Sequence, residues 1–211
     1  MKSLFNIRTI TEIAIFAAIG YVLDFLAGAY SKPLFPSGGS IGLALLPVFI
    51  ISFRRGPLAG ILTGLIMGLL DLADGFYAIA GTWWKAFLQV ALDYWIAYPL
   101  AGFAGFLSYA LKEDDTIKRR VTIILLGCLL GGMLKFLSHY LSGVLFWGDD
   151  QSAFAWGLSS LNKYTYSLIY NIAYMGPCII VSGALMTLIT VKFPKFLFPN
   201  EKEEISKEVK E

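Results

Sequence analysis

The chain has 211 residues, 57% of them hydrophobic and only 15% charged, with a mean hydropathy of +0.67. A water-soluble domain of this length needs more charge to cover its surface, and the apolar residues here run unbroken rather than in amphipathic stripes, so lipid is the expected solvent. A formal net charge of +2 gives no reason to expect a nucleic-acid partner; where the charges fall says more than their sum.

A spanning helix needs about 20 apolar residues to cross roughly 30 Å of hydrocarbon, and six segments are expected in chain order. The first, about 8–29, opens in MKSLFNIRTITEIAIF, which starts like a signal peptide. Its apolar run continues through Leu26 without a small-residue cleavage site, so it reads as a retained first helix. It carries Ala14 and Ala18, a small-xxx-small spacing followed by Gly20. Such a spacing lets another helix approach closely, and packing within the chain is the plainer use for it. SKPLFPSGGS leads to a second segment, about 40–53, short enough to be tilted, broken or re-entrant. After RRGP at 54–57 the third runs over about 57–79 and LADGFYAIAG at 72–81 ends it.

The fourth segment, about 83–111, contains KAFLQVALDY, in which Lys85, Gln89 and Asp93 recur at steps of four and share one helix face. Tyr94 adjoins Asp93, and Trp83 and Trp84 stand at the segment's mouth. KEDDTIKRR separates it from the fifth, about 120–147, which ends in KFLSHYLSGVLFWG. There Lys135, the only histidine His139, Gly143 and Trp147 again fall at steps of four. Each step turns 400°, so the stripe drifts by only about 40° and climbs about 18 Å. A lysine this deep must pair or line a wet cavity, and a buried structural pair with Asp93 is one way to satisfy it. Trp147 suits an interfacial anchor, Gly143 a close helix contact or room for a ring, and His139 an interhelical bond or a ligand contact. Beyond GDDQSAFAWG the sixth segment, about 163–192, opens with Tyr166, Tyr170 and Tyr174 in a row, with Asn171 beside them. Asn171 must find partners for both ends of its amide. Residues 1–199 are read as one six-helix transmembrane domain and 200–211 as a charged tail.

Orientation follows from lysine and arginine placement. With the N-terminus in the cytoplasm, Lys2, Arg8, Arg54, Arg55, Lys112, Lys118, Arg119, Arg120, Lys192 and Lys195 all fall inside. Lys202, Lys207 and Lys210 of the tail join them, and only Lys32, Lys85, Lys135 and Lys163 remain for the outer side or the membrane, so both termini are expected to be cytoplasmic. Cys128 and Cys178 lie in apolar runs and are expected as free buried thiols, with no metal site and no cofactor. No GxxxxGK[ST] loop occurs, so this chain carries no visible ATPase of its own.

The polar faces of segments four, five and six therefore sit in their outward halves and supply a carboxylate, an amide, an imidazole, phenols and indoles. That set suits a flat, cationic heteroaromatic solute: aromatic faces stack on a ring and attract positive charge, and a desolvated carboxylate offsets the cation's lost hydration. Two other classes compete. Asp93, Lys135 and His139 could relay protons in a stand-alone ion-coupled carrier, or His139 could serve as a catalytic base. No nucleophile, metal cluster or second histidine accompanies it, so an enzyme is not expected.

TEIAIFAAIG, SFRRGPLAG at 52–60, KFLSHYLSGVLFWG and YSLIYN at 166–171 together resemble the ThiT family, the thiamine-specific substrate-binding subunits of energy-coupling factor transporters. The resemblance covers residues 8 to 195 and implies an all-α membrane protein of six helices that binds thiamine near the extracellular side of a bacterial plasma membrane. It also implies docking, through Ala14 and Ala18, on a transmembrane coupling subunit carrying two cytoplasmic ATPases. Family ligand positions fall on Tyr94, Lys135, His139, Gly143, Trp147, Tyr166 and Asn171. The helix-four glutamate of the family is Asp93 here, its tyrosine-like position is Trp83, Phe35 is the nearest aromatic to a first-loop tryptophan, and Trp156 stands for another tryptophan. Another vitamin or a thiamine precursor is the nearest alternative ligand.

Overall fold

Capping and breaking residues set the helix ends. A computed structural model of the chain describes residues 6–76, 78–79, 81–112, 114–149 and 154–198; Lys2 and the tail at 200–211 lie outside these. Helix α1 (Ile7–Ser31) starts where the Asn6 side chain accepts the Arg8 N–H at 2.8 Å. Helix α2 (Leu45–Arg55) and α3 (Pro57–Asp74) meet at Gly56, whose φ of +94° turns the chain, and Pro57 then supplies a ready helical start. Helix α4 runs over Trp83–Ala110, with a π-helical stretch at Ala91–Ile96 and a 3₁₀ stretch at Gly102–Ala110. Thr116 caps α5 (Ile117–Trp147), whose last turn, Gly143–Trp147, is also π-helical. Asn162 caps α6 (Lys163–Lys192), and a short turn, α7 (Pro194–Leu197), follows.

Helix α3 ends five residues before the expected boundary, because Gly75 adopts a φ of +143° that leaves the helix. Five of the helices, α1, α3, α4, α5 and α6, are long and apolar enough to cross a membrane. Helix α2, with 11 residues, spans only about 16 Å. It is wrapped rather than lipid-facing: every residue from Pro47 to Phe53 is buried, and α2 touches each of the five longer helices. Those five form a wall in the order α1, α3, α4, α5, α6, with side chains such as Ile15, Phe25, Leu126 and Ile180 pointing outward.

Small residues bring the wall together. Gly60, Gly64 and Gly68 of α3 lie against Gly102, the Tyr98 carbonyl and the Tyr94 carbonyl of α4. Gly127 and Gly131 of α5 press the opposite side of α4 at the Ala104 and Ala101 carbonyls. Lipid tails are as apolar as leucine, so such close backbone approach, rather than hydrophobic sorting, gives the packing energy.

One end of the bundle gathers basic residues. Glu12 accepts from Arg54 Nε and Arg55 Nε, both at 2.8 Å, while Arg54 also donates to the Phe196 carbonyl and stacks on the Phe196 ring. Arg120 stands 5.6 Å over Phe198, so the beginning of α1, the α2–α3 turn, the start of α5 and the α7 region share that end.

Candidate functional site

The polar residues of α4 and α5 meet in the half of the bundle away from Arg54 and Arg55. Gln89 Nε2 donates to Asp93 Oδ2 at 2.6 Å, as residues four apart on one face should, and Asp93 Oδ1 lies 3.5 Å from His139 Nδ1. Gln89 is 1% exposed, and its Oε1 has no partner among the described residues. Asp93 and Tyr94 belong to the π-helical stretch of α4, and Ser138 of α5 ties into it by donating to the Leu92 carbonyl at 2.6 Å. Single π turns inside α-helices recur at functional sites because they re-aim side chains.

The even stripe on α5 holds only in part. Lys135 and His139 lie in regular α-helix, but Gly143 opens the π turn, so Trp147 falls off the four-residue register and is 40% exposed. The space a side chain would occupy at Gly143 is filled by the Ser167 hydroxyl, not left open for a ring. Ser167 in turn donates to the Tyr140 carbonyl at 2.9 Å.

Helix α6 brings Asn171 and Tyr174 to the same level. Asn171 Nδ2 donates to the Ser167 carbonyl at 2.8 Å and its Oδ1 accepts from the Tyr174 hydroxyl at 2.6 Å, so both ends of the amide are used. The Tyr174 ring meets His139 edge-on at a centroid distance of 6.2 Å. Tyr166 lies elsewhere: it is buried face to face under Phe154 at 3.8 Å, its hydroxyl accepting the Ala155 N–H. Tyr170 holds the loop after α1, accepting from Ser37 N–H at 3.0 Å and donating to the Gly38 carbonyl at 2.9 Å. Gly39, at φ +94°, passes so near the Tyr174 ring that a Cβ would collide with it.

Two aromatics weakly marked in sequence close this end together. Trp156 stacks on Tyr170 at 5.0 Å, meets Phe35 edge-on at 5.7 Å, and donates from Nε1 to the Leu34 carbonyl at 2.8 Å. These contacts hold its backbone at φ +61°, a left-handed conformation that non-glycine residues rarely adopt.

Lys135 does not sit at Asp93. Its ammonium lies 3.5 Å from the centroid of the Tyr98 ring, the tyrosine whose hydroxyl meets the carboxylates of Asp24 and Asp71. The Tyr98 hydroxyl bridges those two acids, contacting Asp24 Oδ2 and, at 2.8 Å, Asp71 Oδ2. Asp24 Oδ1 also accepts from Ser40 Oγ at 2.9 Å. Asp24 and Asp71 were not singled out in sequence, though each lies in an apolar run and the rule that flags Asp93 applies equally to them.

The remaining candidates stand apart. Trp83 is 81% exposed at the start of α4, and Ala14 and Ala18 face outward from α1 rather than packing within the chain. Cys128 and Cys178 are free and buried, Cys178 accepting from the Gly42 N–H. An apolar cavity of about 510 Å³ between α5 and α6, lined by Leu125, Cys128, Ile179 and Thr187 among others, contains none of the candidate residues.

A family model described as thiamine transporter protein (Thia_YuaJ) matches residues 10–198. The thiamine transporter ThiT of Bacillus subtilis is 29% identical over 189 residues, covering 88% of this chain and 92% of that protein. ThiT of Lacticaseibacillus paracasei is 30% identical over 166 residues, covering 77% and 76%. A solved structure of ThiT from Listeria monocytogenes superposes with a TM-score of 0.71 at 26% identity, over 90% of this chain and 97% of the other. The chain is a multi-pass, non-enzymatic bacterial membrane protein and belongs to the thiamine transporter family.

Proposed function

We propose that this protein captures thiamine at the extracellular side and delivers it inward as the substrate-specific subunit of an ATP-driven energy-coupling factor transporter. The observation that carries the reading is the Asp93 carboxylate, 19% exposed, facing His139 at 3.5 Å beneath an aromatic-rich end of a thiamine-transporter-family bundle. Thiamine joins a flat aminopyrimidine to a cationic thiazolium. Asp93 accepts from the amino group or offsets the positive charge, and His139 and Trp147 flank a ring. Tyr94, Tyr166 and Asn171 supply polar contacts; Gly143 and Trp83 complete the set, with Lys135 one turn below His139 on α5. Asn171 and Tyr166 now spend their polar atoms on protein partners, so binding exchanges those bonds for ligand contacts.

The reading makes residues 1–199 one transmembrane unit in which α2 is the second of six helices, with both termini cytoplasmic and a charged tail at 200–211. The gathering of described residues near both ends of the chain with Arg54, Arg55 and Arg120 supports that orientation. The coupling subunit would meet α1 at Ala14 and Ala18, both exposed, and two cytoplasmic ATPases would supply the energy. Reconstitution in proteoliposomes tests this. Thiamine should accumulate only when the coupling subunit, its ATPases and ATP are all present. Accumulation by this chain alone under a proton gradient would establish an ion-coupled carrier instead.

A further inference from the structure

A buried lysine beside a site for a cation poses a physical problem, since an uncompensated ammonium repels the ligand. Lys135 is 6% exposed and lies one helical turn from His139, on the same helix as that proposed ligand residue. We propose that Asp24 and Asp71, joined through the Tyr98 hydroxyl, are specificity-determining positioning residues that neutralise Lys135 and leave the Asp93 charge unopposed at the site. This inference rests on the thiamine reading above.

Three facts carry it. First, the two acids come from α1 and α3, Tyr98 from α4 and Lys135 from α5, so four helices bring their charged or polar groups to one point. Second, the Lys135 ammonium is held on the Tyr98 ring face, not on Asp93, so Asp93 keeps its carboxylate for Gln89, His139 and a ligand. Third, the pair of acids at the Tyr98 hydroxyl offsets the ammonium on the ring of the same tyrosine, so the Asp93 charge is left unopposed. In the low-dielectric interior such a balance favours a cation over a neutral molecule of the same shape. Ser40, bound to Asp24, fixes the loop after α1 to the same point.

The test compares thiamine with an uncharged analogue whose thiazolium is replaced by a neutral aromatic ring. Both are titrated calorimetrically into purified full-length protein, and the readout is the ratio of the two dissociation constants. In D24N/D71N the preference for thiamine should fall about tenfold, with the neutral analogue nearly unaffected. In K135M the preference should rise, and in the triple variant it should return towards wild type. The neutral analogue reports whether each variant is folded. Should the double variant fail to bind it, the single D24N variant and K135M decide the matter, since opposite shifts in the ratio are required of them. Equal loss of both ligands, or an unchanged ratio, would show that the cluster only holds helices together. If wild-type protein binds neither ligand, the thiamine reading itself fails, and that result is distinct from an unchanged ratio.

Discussion

Asp93 is asked to do two things with one carboxylate: accept from Gln89 on its own helix and face His139 on the next. Removing the charge while keeping the shape separates these roles. Asp93→Asn should weaken thiamine binding about tenfold or more by calorimetry, while the unliganded melting temperature changes little, because an amide can still bond to Gln89. Trp156 makes a second residue-scale case. Its strained backbone is held by the Leu34 carbonyl, Tyr170 and Phe35. Trp156→Ala should release the loop after α1, raising hydrogen exchange of amides at 32–44 about tenfold or more. Amides of α2 should be unchanged; equal exchange in both forms would remove Trp156 as the loop's anchor.

At the scale of elements, the glycine ridges decide how near α3 and α5 come to α4. A Cβ at Gly64 or Gly131 meets a backbone carbonyl, which cannot rotate away as a side chain can. Gly64→Leu or Gly131→Leu should therefore cost about 1–3 kcal/mol or more in thermal unfolding in detergent. Gly28→Leu on α1, where nothing lies within 4 Å, should be neutral or slightly stabilising. Equal melting temperatures across the three would contradict close packing as the organising force. The α3 ridge is GILTGLIMG, a four-residue spacing that was not singled out in sequence, and its target could not be, because a carbonyl on a neighbouring helix leaves no mark there. The π turns at Ala91–Ile96 and Gly143–Trp147 are hidden for a similar reason. A periodicity argument assumes one turn angle throughout, and so it kept Trp147 in register with His139.

For the whole molecule, long apolar runs and basic breakers make a helical membrane bundle readable from composition, and family resemblance narrows it further. That the polar stripes of segments four and five would face each other was legible, but the partner expected for Asp93 was Lys135, whereas His139 faces it. The partner of Lys135 was not legible, since depth alone cannot choose among three carboxylates on three helices. Helix α2 shows the same limit: its short length was visible, its burial inside the wall was not. Ala14 and Ala18 face outward, where the proposed docking would use them, although packing within the chain was the plainer use in sequence. Ala14→Leu/Ala18→Leu adds only apolar bulk on a lipid-facing surface. It should leave thiamine affinity within about twofold yet lower ATP-driven uptake about tenfold or more, if a coupling subunit packs there. Uptake at wild-type rates would move the docking surface elsewhere.

Thiamine binding at the aromatic-rich end of the bundle is the proposal from which the binding and uptake predictions follow. The most direct check is a titration of the purified protein with thiamine, following tryptophan fluorescence in wild type and in Trp147→Phe. Saturable quenching at micromolar or lower ligand, largely lost in Trp147→Phe, is the expected result; no quenching in the wild type, together with no calorimetric heat, would contradict it.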